Sequence, residues 1–433
     1  MAAPAALLLA AGATPAAAKV LVMGDGGWEV SFDGSVNAFA VYTGGDGLNL
    51  PATGATAGHT GGLGAPNSAS PDSSFRVRTG LLPAVFGINI KAPTTGGLDM
   101  GARIGLYPNI SSNTKNGEHN TSDLDSREMF FTVDGSFGQV LAGKTLSHFM
   151  GKNILTDMTL FGVGGIGTVA QAGGTTLGRI GYGYVYPQFN GRIQYTTPNM
   201  NGFKVSVGVY DPSRVSGSGV TATETDSPRF EGEASYAGTF SGADVSAWLN
   251  GMWNEATLTG NSTGPSAANV AIATGAGLST LQIGDSVNSW GIGGGLQVGI
   301  PIGMGKLTLM GSGYGGKALG LTFQTDVDAL DPVGQERDHW GYIGQATFGF
   351  GQGTSVGFSY GESGADETAF ERVVRLAGTN SQINVQRLYD AMVWHDINPN
   401  LRVVAEYGHQ ETEWFDNADQ NADIFSVGGF FFW

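Results

Sequence analysis

The sequence predicts an all-β chain: a transmembrane antiparallel β-barrel of sixteen strands, with short periplasmic turns and long extracellular loops. Three observations predict it. Apolar and polar residues alternate with a period of two in many separate runs. Tight turns and long polar stretches alternate strictly between those runs. The segment 422–433, ADIFSVGGFFFW, keeps the alternation to its last position.

The alternation sets two faces. Trp28, Val30, Phe32, Val36 and Ala38 fall on one side of a run whose other side carries Glu29, Ser31, Asp33, Ser35 and Asn37. Phe203, Val205, Val207 and Val209 alternate with Lys204, Ser206 and Gly208. Val356, Phe358 and Tyr360 alternate with Ser355, Gly357 and Ser359, and Leu401, Val403, Ala405 and Tyr407 with Arg402 and Glu406. In a soluble sandwich the apolar face would be core. In a membrane barrel it meets lipid and the polar face meets water.

The connections separate these cases. Short turns lie at 93–97, 136–138, 199–202, 241–244, 303–305, 351–353 and 398–400. Long polar stretches run over roughly 43–73, 111–126, 146–190, 211–227, 257–286, 316–338, 362–385 and 413–421. Seven turns and eight loops join sixteen strands. A sandwich has no reason to collect its long loops at one end, whereas an outer-membrane barrel does. In the terminal segment Trp433, Phe431, Gly429, Val427 and Phe425 share one face. A bare aromatic edge strand invites aggregation, and closure against lipid removes the edge.

Composition narrows the function classes. The 72 Gly show no three-residue period, which excludes collagen. An apolar content of 41% is too high for a disordered chain. Absence of Cys excludes disulfides, thiolate zinc sites and Cys nucleophiles. A net charge of −16 argues against a nucleic-acid binder. Residues 1–18 read as a signal peptide: AALLLA at 5–10 is a short apolar core, and Ala16, Ala17 and Ala18 precede Lys19 as a cleavage signal, although no Lys or Arg precedes that core. The expected organisation is a leader, 1–18, and a single barrel domain, 19–433. No run of 18 apolar residues follows Lys19, so no membrane-spanning helix is predicted.

The chain resembles the general, trimeric porins of Gram-negative outer membranes, over its whole mature length. The resemblance rests on the aromatic last strand and two inner segments. One is FGQVLAGKT at 137–145, similar to the family's fifth strand entering its constriction loop. The other is GRIQYTTPNMNGFKVSVGVY at 191–210, similar to its sixth and seventh strands. The terminal Trp, Gly429 and the lack of a Pro-Glu-Phe-Gly turn in the third loop depart from the pattern.

The resemblance implies a homotrimer in the outer membrane, in contact with lipid and lipopolysaccharide. It implies a water-filled channel for passive diffusion of ions and small hydrophilic solutes, without cofactor. It also implies a third loop, about 146–189, folded into the lumen, with basic side chains facing it. That loop carries Asp157, Lys152 and Arg179. The early strands carry Arg76, Arg78, Arg103, Arg127, Lys144 and Arg192. Arg76, Arg78, Arg103 and Arg192 stand beside apolar neighbours of opposite parity, and a charge facing lipid costs roughly 2–4 kcal/mol at the midplane. The expected constriction is Arg76, Arg78, Arg103, Arg127, Lys144, Arg192 and Asp157, with cations dominating and anions preferred. The competing reading pairs these cations with Glu29, Asp33, Glu128 or Asp134 as stiffeners of the wall.

Other features carry less. Acid-rich segments at 123–128, 326–331 and 416–423 suit loop-bound Ca²⁺ in ligand type but match no EF-hand spacing. The strings GVGGIG at 162–167 and GSGYGG at 311–316 match G-x-G-x-x-G outside any strand-turn-helix setting, so no nucleotide site is read from them. His59, His119, His148, His339, His395 and His409 show no metal spacing, and His148, at the start of the third loop, is a candidate for pH tuning. Trp28, Trp340, Trp394, Trp414 and Trp433 fit interfacial girdles, and Trp248 fits the inner face. Two further functions stay open. One is a substrate-specific channel for sugars or organic acids, hinted at by Tyr182, Tyr184 and Tyr186; the other is an outer-membrane barrel enzyme, for which no local motif speaks.

Overall fold

The computed structural model describes residues 20–23, 25–49, 58–59, 72–110, 125–167, 174–326, 328–378 and 380–433. The signal peptide expected at 1–18 lies outside them. Sixteen strands form one closed antiparallel barrel. They are β1 (Glu29–Gly45), β2 (Asp72–Arg78 and Val85–Lys91), β3 (Asp99–Tyr107), β4 (Asp125–Gly135), β5 (Gly138–Leu146), β6 (Phe189–Thr196), β7 (Phe203–Tyr210) and β8 (Arg229–Phe240). Then come β9 (Ala243–Thr257), β10 (Ser286–Ile302), β11 (Gly305–Lys317), β12 (Asp338–Gly349), β13 (Thr354–Ala365), β14 (Ile383–Asn398), β15 (Leu401–Trp414) and β16 (Asp419–Phe432). A short strand, Val20–Met23, pairs with the start of β1.

β16 closes on β1 with Val36 opposite Phe431 and Tyr42 opposite Phe425. Closure pairs every edge, which lipid demands because nothing else there satisfies a backbone N–H or C=O. The alternation sorts side chains as the sequence reading expects. In β1, Ser31, Ser35, Asn37, Phe39, Val41 and Thr43 are buried inside, while Val36 and Tyr42 are exposed outside. A one-residue slip would exchange the two sets, so lipid on one side and water on the other fix the register.

β2 is broken. Residues 79–84 leave the ladder and turn inward, burying Leu81, Leu82 and Ala84. Leu81 N–H bonds to the Gly162 carbonyl at 2.9 Å, which ties the break to the third loop. A Cβ on Gly80 would stand 2.3 Å from that carbonyl oxygen, so only glycine allows this approach.

The long loops contain structure that polarity alone does not reveal. The third loop holds a short helix, α1 (Gly151–Thr156), and a 3₁₀ turn, Met158–Phe161. The fifth holds α2 (Ala267–Gly275), capped by Ser266, and the seventh holds α3 (Ala369–Leu376), opened by a capping box of Thr368 and Glu371. Val215, Val220 and Leu330 form one loop core, and Ala273, Val333 and Phe370 another. Among the described residues no helix is long and apolar enough to cross a membrane. Trp28 is exposed and Trp433 stacks on Phe431. Trp414 departs from the girdle expectation. It is 0% exposed and faces inward, its ring 5.4 Å from that of His59.

Candidate functional site

The third loop crosses the lumen and is seated on the wall from β8 to β15. Glu231 on β8 accepts the Phe149 N–H at 3.0 Å. Trp248 Nε1 on β9 donates to Asn153 Oδ1 at 3.1 Å, and Asn153 Nδ2 donates to Ser312 Oγ on β11 at 2.9 Å. Gln345 on β12 accepts from Met158 N–H and donates to the Thr156 carbonyl. Arg179 donates to Ser359 Oγ on β13 and to the Leu388 carbonyl on β14, both at 2.9 Å. Glu406 on β15 accepts Val163 N–H at 2.6 Å and Gly164 N–H at 2.7 Å. A loop with buried backbone needs such partners at nearly every free N–H. The inward polar residues of these strands supply them.

Space remains on the other side. A cavity of about 370 Å³ lies between the loop and the β2–β6 wall. Leu81, Leu82, Val85, Ile154, Leu160 and Ile180 give it an apolar lining, and Arg103, Asp125 and Arg127 bring charge to it. Toward the short turns a vestibule of about 710 Å³ opens, lined by Asp244, Gln297, Lys306, Asp396 and Arg402 among others. Phe161 belongs to the walls of both spaces. Its ring is buried between them, against Phe430, Phe432 and Arg402.

The expected constriction residues fall into different settings. Arg76 and Arg78 pair with Val41 and Phe39 across β1 and β2, both on the inner face. Arg78 is buried and donates to the Thr175 carbonyl of the third loop at 3.0 Å. Arg192 is buried, donates to the carbonyls of Thr145 and Leu146, and stacks on Tyr210 at 5.2 Å. Arg103 meets two carboxylates: Nη1 lies 2.9 Å from Asp33 Oδ2 and Nε 2.7 Å from Glu128 Oε2. Arg127 is the extra residue of a β-bulge in β4, where Gly105 pairs with Glu128 but Leu106 with Ser126. A bulge re-aims its side chain. The guanidinium lies over the rings of Tyr107 and Phe189, 5.5 and 5.7 Å from their centres, with Nε on Asp125 at 2.8 Å.

Lys144 and Asp157 stand apart from this group. Lys144 is opposite Met129, which is 55% exposed on the lipid side, so it shares the outer face, and its Nζ donates to the Ser126 carbonyl. The Asp157 carboxylate is taken up inside the loop, accepting from Thr159 N–H, Thr159 Oγ1 and Tyr184 Oη. It caps the 3₁₀ turn. Tyr182 and Tyr184 are buried in the loop's return and form no ladder. His148 has a buried Nε2 near Arg192 and Lys152, a setting hostile to a further positive charge.

Sequence reasoning missed Glu406, whose polar parity was visible but whose partner is a loop 242 residues away. It also missed the sixth loop, in which Phe323 joins the cavity wall. Among the described residues no group of three potential ligands holds a metal geometry. Several acids of the loop segments are engaged by protein partners: Asp326 by Ser216, Asp331 by Thr368, Asp416 by His59 and Asp419 by Asn49. The first glycine string lies in the third loop and the second in β11, and among the described residues neither opens a helix.

Comparison with known proteins adds family evidence. A family model described as Gram-negative porin matches residues 5–413. No curated protein matches the chain. The outer membrane channel DcaP of Acinetobacter baumannii superposes with a TM-score of 0.64 at 13% identity, covering 95% of this chain and 99% of that one. OprB of Pseudomonas putida gives 0.53 at 12% identity, covering 93% and 94%. At such identities the likeness concerns the fold.

Proposed function

This chain belongs to the Gram-negative porin family, and from that premise we propose a diffusion channel with a modest preference for anions at its narrowest passage. Family membership makes the protein an outer-membrane channel and not an enzyme. The observation that carries the finer reading is the difference in partners among the inward arginines. Arg103 faces two carboxylates, so its charge is more than cancelled. Arg78 and Arg192 bind neutral carbonyls, which satisfy hydrogen bonds without removing charge. A charge held in low dielectric acts over a longer distance than one in water. Arg76 adds to this side of the lumen. Assembly as a homotrimer, with lipid and lipopolysaccharide around it, rests on the family.

Reversal potentials of the purified protein in a planar bilayer with a salt gradient test the proposal. Anion preference is expected, and a clear cation preference rejects it. One observation favours the second reading, a channel specific for sugars or organic acids: the passage is lined mainly by apolar side chains. Block of ion current by candidate solutes at millimolar concentration would support that reading over free diffusion.

A further inference from the structure

The sixth loop enters the lumen as well. Its 318–326 stretch is pinned from several sides. Ala318 N–H bonds to the Arg337 carbonyl at 2.8 Å, and the Ala318 carbonyl accepts from Ser289 Oγ on β10 at 2.8 Å. Tyr186 N–H, on the return of the third loop, bonds to the Thr322 carbonyl at 2.8 Å. Gln188 Nε2 donates to the Gln324 carbonyl at 2.9 Å. The Gln324 side chain is held by the Arg229 guanidinium on β8, and Ser216 N–H bonds to the Thr325 carbonyl. Two inward loops are thus bonded to each other by main chain and side chain.

Burial along this stretch singles out one residue. Leu319, Leu321, Thr322, Gln324 and Thr325 are buried, while Phe323 is 44% exposed. It projects into the cavity that Arg127, Phe189 and Leu177 also line. Its ring meets that of Tyr186 edge-on at 5.9 Å, with planes at 78°. A large apolar ring left in a wet space, on a backbone fixed by both loops, loses the gain that burial would give. It narrows the opening instead. The stretch is rigid enough for that, because its backbone groups are paired on both sides.

We infer that the sixth loop is a second constriction element and that Phe323, braced by Tyr186, sets the size limit of the passage from the side of the long loops. The third loop defines where the passage runs. Phe323 determines how wide a solute it admits. Phe161, which borders both this cavity and the opposite vestibule, is by contrast buried, so Phe323 is the aromatic ring that stands free in the cavity wall.

Phe323→Ala tests this in the full-length protein. Single-channel conductance in planar bilayers and swelling of proteoliposomes in sugars of increasing size are the measurements. The variant is expected to conduct more and to shift the size limit to larger sugars. The same limit and conductance as wild type would overturn the inference. Wild-type protein that passes no current would instead defeat the channel reading itself, so the two failures are distinguishable. The absence of Cys allows an independent test that does not depend on enlarging the pore. Phe323→Cys, treated with a bulky thiol reagent, is expected to lose current. Ile283→Cys, on a loop position 74% exposed and outside the cavity wall, is expected to keep it. Equal responses of the two cysteine variants would also overturn the inference.

Discussion

The two halves of the lumen wall obey the same alternation and put it to different uses. From β8 to β15 many inward residues are hydrogen-bond partners of the third loop: Glu231, Ser312, Gln345, Ser359 and Glu406. They hold it. The inward Arg229 and Arg402 of this wall are paired with Glu231 and Asp396. From β1 to β6 the inward residues include Arg76, Arg78, Arg103, Arg127 and Arg192; Arg103 and Arg127 border the space that the loop leaves open, while Arg78 and Arg192 bind main-chain carbonyls beside it. The difference teaches that inward orientation alone does not make a pore residue. What matters is whether the side chain meets loop backbone, an opposite charge or the passage.

The largest expected effect would come from removing Arg103, which is paired with two carboxylates on the early wall. Arg103→Ala leaves Asp33 and Glu128 facing each other without a counter-charge. Removal of one partner from a buried ionic cluster costs about 3–5 kcal/mol. The temperature at which the folded band on unheated gels converts to the unfolded one should fall clearly. An unchanged transition would mean that this wall is not stiffened by the triad. Next comes the loop-holding wall. Glu406→Ala strands the N–H groups of Val163 and Gly164, at about 1–3 kcal/mol for each buried unsatisfied group. Open-channel current noise should rise, and mean conductance with it. Glu406→Gln, whose amide oxygen still accepts, should lie between. If neither variant changes the current, the seat of the loop does not depend on this carboxylate.

Much of the barrel was legible in the sequence because alternation and turn residues are local signals. All seven short turns lie where Gly, Asn and Ser cluster, and β16 runs where 422–433 alternates. The break in β2 was not legible, since 79–84 leaves the ladder only because the third loop offers the Gly162 carbonyl. The loop helices were hidden by the same cause: α3 is short, and its Phe370 buries against Val333 of another loop. For the site, inward parity was legible at Arg76, Arg78, Arg103 and Arg192. Arg127 depends on a bulge that no period-two count can find. The partners of Arg103 were among the candidates of the competing reading, Asp33 and Glu128, and pairing is set by register between strands rather than within one.

A smaller effect separates charge from stability on the open side. Arg78→Gln removes a charge whose partner is a carbonyl, and glutamine retains a donor for Thr175. The cost in stability should stay near 1 kcal/mol, the usual net value of one hydrogen bond. Reversal potential should move toward zero. A variant as anion-preferring as wild type would assign the selectivity to Arg76 and Arg192 instead.

The smallest effect is expected at Lys144, and its smallness is informative. Composition and strand number make it equal to the arginines, one more cation on an early strand. Register makes it different, because Met129 across the ladder points to lipid. At the rim of the outer face its ammonium binds the Ser126 carbonyl and is screened by solvent and headgroups, over a Debye length of about 8 Å at physiological ionic strength. Lys144→Ala should therefore leave the reversal potential where it is, under conditions in which Arg78→Gln moves it. If the two variants shift it equally, selectivity follows the total charge of the early strands rather than the face on which each cation stands, and the contrast between the two walls loses its electrostatic meaning.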